Sequence, residues 1–291
     1  MMITLSDSTI TERLVYWMSK GDLLIIGGNE DKENDREILK KFVDISREKN
    51  GPIGILTTAT EYPEELGDTY RSIFEELGVS ETVLFHIDTR EKAEDPKTVQ
   101  QLQNCNALFI TGGDQVRLTS ILGGTRFYTT LKELWLQKAF MIAGTSAGAS
   151  VMSRHMIMSS VDTEDETIVE MGAGFDFMED AIIDQHFSQR ARFGRLMNAI
   201  AHNPQIMGIG IDENTAIWVK EEGRLFEVLG EHSVSLFDGK KLTYVDTTSH
   251  GDNHDITISG VRLHSLARGY TFDLITRELI QAPGGEHHED Q

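Results

Sequence analysis

The chain has 291 residues, of which 39% are hydrophobic and 25% are charged, as is typical of a folded globular protein. Its 47 acidic residues outnumber 27 basic ones and give a formal net charge of −20. This charge disfavours partners such as nucleic acid or an anionic membrane, which both require clusters of lysine and arginine. The single cysteine, Cys105, excludes an intramolecular disulfide bond. We therefore expect a soluble cytoplasmic protein, without signal peptide or membrane span, that acts on a neutral or cationic substrate.

Short apolar runs alternate with amphipathic stretches over the first two thirds of the chain. The runs have the length and continuity of strands buried on both faces of a sheet. They are Leu23–Ile26, Ile53–Leu56, Val83–Ile87, Ala107–Ile110 and Phe140–Ala143. The stretches with helical periodicity are Asp35–Glu48, Glu64–Leu77 and Pro96–Gln103. This order predicts an α/β fold with βαβ units and a mainly parallel sheet.

Beyond residue 205 the pattern changes to short strand-like runs separated by turn residues. The runs are Ile206–Ile211, Thr215–Lys220, Leu225–Leu229, Ser233–Phe237, Leu242–Val245, Val261–Ala267 and Tyr270–Leu274. Turns at Glu222-Gly223 and Asp238-Gly239 favour hairpins, so we expect an antiparallel extension of the same sheet or a small β appendage. We predict a single domain over residues 1–283 and a disordered polar tail over 284–291.

Polar and glycine-rich segments follow four of the predicted strands. They are Gly27–Lys32, Thr57–Thr60, Thr111–Gln115 and Gly144–Gly148. Because open parallel sheets bind ligands at the carboxyl ends of their strands, these segments together predict the rim of an active site.

The segment Gly144–Gly148 reads G-x-S-x-G and lies between an apolar strand and residues that can begin a helix. This context predicts a nucleophile elbow, in which a tight turn exposes Ser146 at the start of a helix. The amides at such a helix start can stabilise an oxyanion.

A serine nucleophile needs a base and a carboxylate that orients the base. Among the ten histidines, His186 is the best candidate because it ends an apolar run and so returns to the same rim. Glu213 and Asp212 end the next strand-like run, and Asp162 competes with them. The sequence does not choose between these acids.

Three arginines, Arg190, Arg192 and Arg195, follow His186. If Ser188 caps a helix, they fall in its first two turns, where the helix dipole disfavours cations. We therefore expect at least one of them to meet an anionic partner such as a substrate carboxylate.

These motifs, in this order, resemble those of the cyanophycinases, in the serine peptidase family that also contains dipeptidase E. The resemblance runs from about Gly21 to Val219 and includes Asp184-Gln185-His186-Phe187 and Gly208–Glu213. It implies a flavodoxin-like or class I glutamine-amidotransferase-like α/β sandwich, commonly dimeric. It also implies Ser146 as nucleophile, His186 as base and Glu213 as orienting acid. The residues implied to line the substrate pocket are Gln115, Asp184, Gln185, Arg190, Arg192 and Arg195.

The resemblance implies hydrolysis of cyanophycin, a poly-aspartate whose β-carboxylates carry arginine, to β-Asp-Arg dipeptides without a cofactor or metal. The amides of Ala147 and of Gly113 or Asp114 would then hold the oxyanion. The arginine trio would pair the substrate carboxylate, and Asp184 or other rim acids its guanidinium. Asn29 stands where a smaller residue is expected, a departure that should affect substrate contacts and not the chemistry.

Three other readings stay open. An aspartyl dipeptidase of the dipeptidase E kind would act on small Asp-X peptides, and its acid lies before the histidine, which would favour Asp162. A phosphate-binding module could use the glycine-rich turns, although the sequence has neither G-x-G-x-x-G nor a Walker A motif. A metal hydrolase would rest on the polar loop His250–Asp255.

Overall fold

The structure of the protein is a computed structural model that describes residues 20–47, 51–138, 140–162, 167–247 and 256–281. The predicted tail at 284–291 and the polar loop at 250–255 lie outside these ranges. Within them, none of the helices combines the length and hydropathy that crossing a bilayer requires.

Five parallel strands occupy the positions that the apolar runs predict. They are β1 (Leu23–Ile26), β2 (Ile53–Leu56), β3 (Thr82–Phe85), β4 (Ala107–Ile110) and β5 (Met141–Thr145). They lie side by side in the order β1-β5-β4-β2-β3. The mainly parallel sheet is confirmed, with the strand ends shifted by up to two residues from the prediction.

The remaining strands are β6 (His155–Asp162), β7 (Thr167–Ala173), β8 (Ala181–Gln185), β9 (Met207–Ile211), β10 (Thr215–Lys220), β11 (Leu225–Gly230), β12 (Val234–Asp238), β13 (Tyr244–Asp246), β14 (Thr257–Ser259), β15 (Arg262–Leu266), β16 (Thr271–Asp273) and β17 (Glu278–Gln281). The antiparallel strands β10, β11, β16 and β17 extend the main sheet from the β1 side to nine strands. This is the predicted antiparallel extension.

A second sheet has the order β15-β12-β9-β8, in which β8 and β9 are parallel. The run predicted at 206–211 therefore forms β9 of this second sheet and is not a strand of the main sheet. The hairpin predicted at Asp238-Gly239 is wrong, because β12 pairs with β9 and β15 while β13 pairs with β14. The turn at Glu222-Gly223 does join paired strands, β10 and β11. The hairpin of β6 and β7 was not predicted.

Helices cover both faces of the main sheet. They are α1 (Glu37–Ser46), α2 (Pro63–Glu76), α3 (Arg90–Glu94), α4 (Pro96–Asn104), α5 (Gln115–Leu122), α6 (Arg126–Lys138), α7 (Ala147–Ser150) and α8 (Phe193–His202), with a 3₁₀ turn at Glu221–Gly223. In β1, Leu24 and Ile26 join one apolar core while Leu23 and Ile25 join the other. Since alternate strand residues point to opposite faces, this division gives the three-layer α/β sandwich that the family resemblance implies.

Candidate active site

The chain bends sharply at Ser146, between β5 and α7. Ser146 has φ 53° and ψ −110°, a backbone conformation that residues other than glycine rarely adopt. The turn has no room for a side chain at Gly144, because a Cβ there would lie 2.3 Å from the carbonyl oxygen of Gly148. This geometry is that of a nucleophile elbow, followed by a helix of only four residues.

His186 directly follows β8 and so reaches Ser146 from the second sheet. Its amide donates to the carbonyl of Gly27, just after β1, at 2.8 Å. Gly28 has φ 97°, and a Cβ at this position would lie 2.4 Å from Cε1 of His186. The glycine pair after β1 therefore lets the ends of the two sheets meet.

Ser146, His186 and Glu213 form a continuous hydrogen-bond relay. Ser146 Oγ lies 3.0 Å from Nε2 of His186, and Nδ1 of His186 lies 2.6 Å from Oε1 of Glu213. When the imidazole is neutral, Nδ1–H donates to the carboxylate and Nε2 accepts from the serine hydroxyl. This arrangement allows a histidine to take the hydroxyl proton and a carboxylate to stabilise the imidazolium that results.

The two other acids considered as the orienting carboxylate differ in their position. Asp212 is buried and accepts hydrogen bonds from the Ser188 amide and the Ser233 hydroxyl, both at 2.9 Å. Asp212 therefore connects the segment that follows β8 to the residue that precedes β12, and it does not orient His186. Asp162 ends β6, and its side chain lies outside the described part of the structure.

The surroundings of the relay favour its reactive protonation state. Burial lowers the pKa of His186 below its ordinary value of 6.5; the hydrogen bond to Glu213 opposes this shift, and the charge of Arg190 adds to it. The hydrogen bond with His186 is the largest cause that lowers the pKa of Glu213. Near neutral pH the relay thus holds a neutral imidazole and an ionised carboxylate, as a general base requires.

Asn29 contacts the same carboxylate. Its side-chain amide donates to Oε2 of Glu213 at 3.0 Å, so both carboxylate oxygens of Glu213 are held. The backbone of Asn29 has φ 47°, a region that asparagine tolerates better than most residues. The expectation that Asn29 affects only substrate contacts is wrong, because its amide contacts the relay itself.

Backbone amides beside Ser146 can bind an oxyanion. Across the described residues, the amides of Ala147 and Gly113 donate to no acceptor in the protein. The amide of Asp114 instead donates to the Ala59 carbonyl at 2.9 Å. The alternative that Asp114 serves as an oxyanion donor is therefore wrong, and Gly113 and Ala147 are left as the candidates.

The three arginines have different partners. Helix α8 begins at Phe193, later than predicted, so Arg190 and Arg192 precede it. Arg195 Nε donates to Oδ2 of Asp184 at 2.7 Å, and Arg192 Nη1 lies 3.4 Å from Oδ1 of the same carboxylate. Arg190 is exposed and forms no ion pair with any residue that the structure describes.

Asp184 is a counter-ion and not a ligand for the substrate guanidinium. Its side chain is 1% exposed and is enclosed by Arg192 and Arg195. Gln185 is also buried: its Oε1 accepts from Arg192 at 2.7 Å, and its Nε2 donates to Ser150 Oγ at 3.3 Å. The predicted contact of Asp184 with a substrate guanidinium is wrong, because both partners of this carboxylate come from the protein.

A cleft of about 910 Å³ opens beside Ser146 and contains all three arginines in its wall. Gln115 lies in the same wall and donates through Nε2 to the Met158 carbonyl at 2.8 Å, which holds β6 against the cleft. Ser159 and Ser160 of β6 complete this side, and no motif in the sequence points to them because nothing local predicts the β6–β7 hairpin. Among the described residues, no aspartate or glutamate lines the cleft, which is therefore cationic in an acidic protein.

The relay predicts how covalent labelling of Ser146 depends on pH. The rate of reaction with a fluorophosphonate should fall as the pH drops through the pKa of His186, with a midpoint below 6.5, because burial depresses that pKa. Labelling rates from pH 4.5 to 9, followed by intact-protein mass, measure the midpoint.

The Glu213→Gln variant should be labelled on the order of 10⁴-fold more slowly, as when a triad carboxylate is replaced by its amide. Asp162→Asn should cost far less, and His202→Gln, at an exposed histidine outside the relay, should leave the profile unchanged. A larger loss in Asp162→Asn than in Glu213→Gln would reassign the orienting acid.

Comparison with known proteins places this geometry in a family. The profile of Peptidase family S51 matches residues 23–225. The cyanophycinase of Nostoc sp. (strain PCC 7120 / SAG 25.82 / UTEX 2576) is 37% identical over 266 residues, which cover 91% of this chain and 89% of the relative. That of Geminocystis herdmanii (strain PCC 6308) is 34% identical, with 89% and 96% covered.

Among solved structures, a peptidase from an acI-B1 Actinobacterium superposes with a TM-score of 0.66 and 19% identity, and the match covers 88% of this chain and 98% of that one. This similarity supports the fold alone. The family match covers more than half of the chain and includes the serine, the histidine and the glutamate of the relay. The chain therefore belongs to peptidase family S51 and is a serine peptidase.

Proposed function

We propose that the protein hydrolyses cyanophycin and releases β-Asp-Arg dipeptides. The observation that carries this proposal is the Ser146–His186–Glu213 relay, which opens onto a cationic cleft. Relatives that are 34–37% identical over about nine tenths of the chain are cyanophycinases. Every arginine attached to the polymer carries a free carboxylate, which is the anion that such a cleft would accept.

In the proposed mechanism, His186 takes the proton of Ser146 as Oγ attacks the scissile backbone carbonyl. The amides of Ala147 and Gly113 hold the oxyanion, and His186 then passes its proton to the leaving amine. Water activated by the same histidine hydrolyses the acyl-enzyme and frees Ser146.

The three arginines differ in how available they are to bind the substrate. Arg190 is exposed at the cleft and can grip a carboxylate with two parallel hydrogen bonds. Arg192 and Arg195 share Asp184, and burial lowers the pKa of Arg192 to about 10. Both residues line the wall of the cleft.

Product analysis tests the proposed substrate. Purified cyanophycin and small Asp-X dipeptides are incubated separately with the wild type and with Ser146→Ala, and the products are identified by mass spectrometry. We expect β-Asp-Arg from the polymer with the wild type and a loss of roughly 10⁶-fold in the variant, as for the nucleophile of a serine protease. Turnover of α-aspartyl dipeptides with an intact polymer would instead identify an aspartyl dipeptidase.

Arg190→Ala should lower kcat/KM for cyanophycin by about 10- to 100-fold, the value of hydrogen bonds to a charged group, mainly through KM. Arg190→Lys should restore it only in part, because an ammonium cannot form the bidentate pair. Arg192→Ala should lower both kcat/KM and the thermal midpoint of unfolding, since it also removes a partner of the buried Asp184. Arg71→Ala, at an exposed ion pair with Asp68, is the control. Unchanged kcat/KM in Arg190→Ala at fixed ionic strength would remove Arg190 from recognition.

We further propose a homodimer. Apolar side chains are exposed on β15 and β17, and Arg262 and Glu278, 2.8 Å apart, show that the two strands are neighbours. These side chains are Leu263, Leu279 and Ile280. Light scattering should give twice the mass of one chain, and Leu279→Asp should reduce it; a monomeric wild type would refute the proposal.

A cytoplasmic location stays a prediction from the cysteine content.

A further inference from the structure

Behind the nucleophile elbow lies a buried carboxylate that the mechanism does not use. Glu30 belongs to the segment Gly27–Lys32, and its side chain is 1% exposed. Its Oε2 accepts from the Thr145 hydroxyl at 2.5 Å, and its Oε1 accepts from the Tyr70 hydroxyl and lies 3.0 Å from Nζ of Lys32. A carboxylate is costly to bury, and three partners from three parts of the chain compensate for that cost.

The contact with Thr145 reaches the catalytic turn directly. Thr145 is the last residue of β5 and precedes Ser146, whose φ of 53° must be held by its surroundings. The amide of Ser146 donates to the carbonyl of Ile26 at 3.1 Å. The turn is thus held by the end of β1 through its backbone and by Glu30 through the preceding side chain.

The same segment also positions the other two members of the relay. The Gly27 carbonyl accepts from the His186 amide, and Asn29 donates to Glu213. The Asp31 amide donates to Oδ1 of Asn214, next to Glu213, at 2.8 Å. The segment Gly27–Lys32 therefore contacts each member of the relay or its immediate neighbour. Within this segment, Glu30 makes the contact next to the nucleophile, through Thr145.

We propose that Glu30 is a positioning residue that acts through Thr145 to hold Ser146 within hydrogen-bond reach of His186. Tyr70 and Lys32 fix the orientation of the carboxylate. Burial raises the pKa of Tyr70 well above its usual value, so its hydroxyl stays a donor. The inference rests on the proposed serine mechanism but not on the identity of the polymer.

Variants of both partners test the proposal. Thr145→Val keeps the shape of the side chain without its hydroxyl, Thr145→Ser keeps the hydroxyl, and Glu30→Gln removes the charge. We expect Glu30→Gln and Thr145→Val to lower both kcat for cyanophycin and the rate of fluorophosphonate labelling by about 100-fold, as small displacements of reacting groups do. KM should stay within about twofold, and Thr145→Ser should recover most of the rate.

The double variant and a remote control separate positioning from general destabilisation. If the two groups act through one contact, Glu30→Gln with Thr145→Val should be little slower than either alone. Asp238→Asn is the matched control, because Asp238 is also a buried carboxylate paired with a cation, Arg277, but lies opposite the first residue of β9, away from the relay. It should lower the thermal midpoint and leave the labelling rate unchanged.

Wild-type labelling rates in Glu30→Gln and Thr145→Val, both folded by circular dichroism, would overturn the proposal. A Thr145→Ser variant that is as slow as Thr145→Val would also overturn it. A double variant whose rate loss equals the product of the two single losses would do the same. Because labelling needs no polymer, a wild type that is labelled but leaves cyanophycin intact would refute the proposed substrate and leave the role of Glu30 testable.

Discussion

The active site depends on the close approach of two strand ends that belong to different sheets. The nucleophile directly follows a strand of the main sheet, whereas the histidine directly follows a strand of the second sheet. The hydrogen bond from the His186 amide to the Gly27 carbonyl joins them. A side chain at Gly28 would collide with the imidazole of His186. The distance from Ser146 to His186 therefore depends on a glycine, which has no Cβ, at this position.

Charge is distributed unevenly for a protein with a net charge of −20. Among the residues that the structure describes, no aspartate or glutamate lines the cleft, whereas three arginines do. The buried Asp184 pairs with two of these cations, Arg192 and Arg195, and Arg190 is left for an anionic ligand. A substrate that carries both a guanidinium and a carboxylate could therefore be attracted by the acidic exterior and oriented by the cationic cleft.

Local patterns were enough to predict the parallel sheet and the elbow. A buried parallel strand is a short apolar run whatever its neighbours, and a G-x-S-x-G turn specifies its own geometry; β1, β2 and β4 have the predicted bounds. The relay residues could be proposed because each follows a strand and because the motifs resemble a known family.

Features that depend on distant pairing were not predictable. The run predicted at 206–211 forms β9, which joins the second sheet because it pairs with β8 and β12, and no local signal in the sequence specifies that pairing. The partner of Arg195 lies eleven positions earlier, in a buried strand, and the Asp114 amide is used by a different loop. In each case a local rule gave the right kind of residue, and tertiary contacts decided its partner.

Ser146 should form a covalent acyl intermediate with the substrate. Cyanophycin is mixed with excess wild-type enzyme, quenched in acid within milliseconds to seconds, and digested for mass spectrometry of the peptide that carries residue 146. An ester on Ser146 should appear before product formation is complete and should decay as product accumulates. Complete turnover of the polymer by a Ser146→Ala variant, with no adduct on this peptide in the wild type, would show that Ser146 is not the nucleophile.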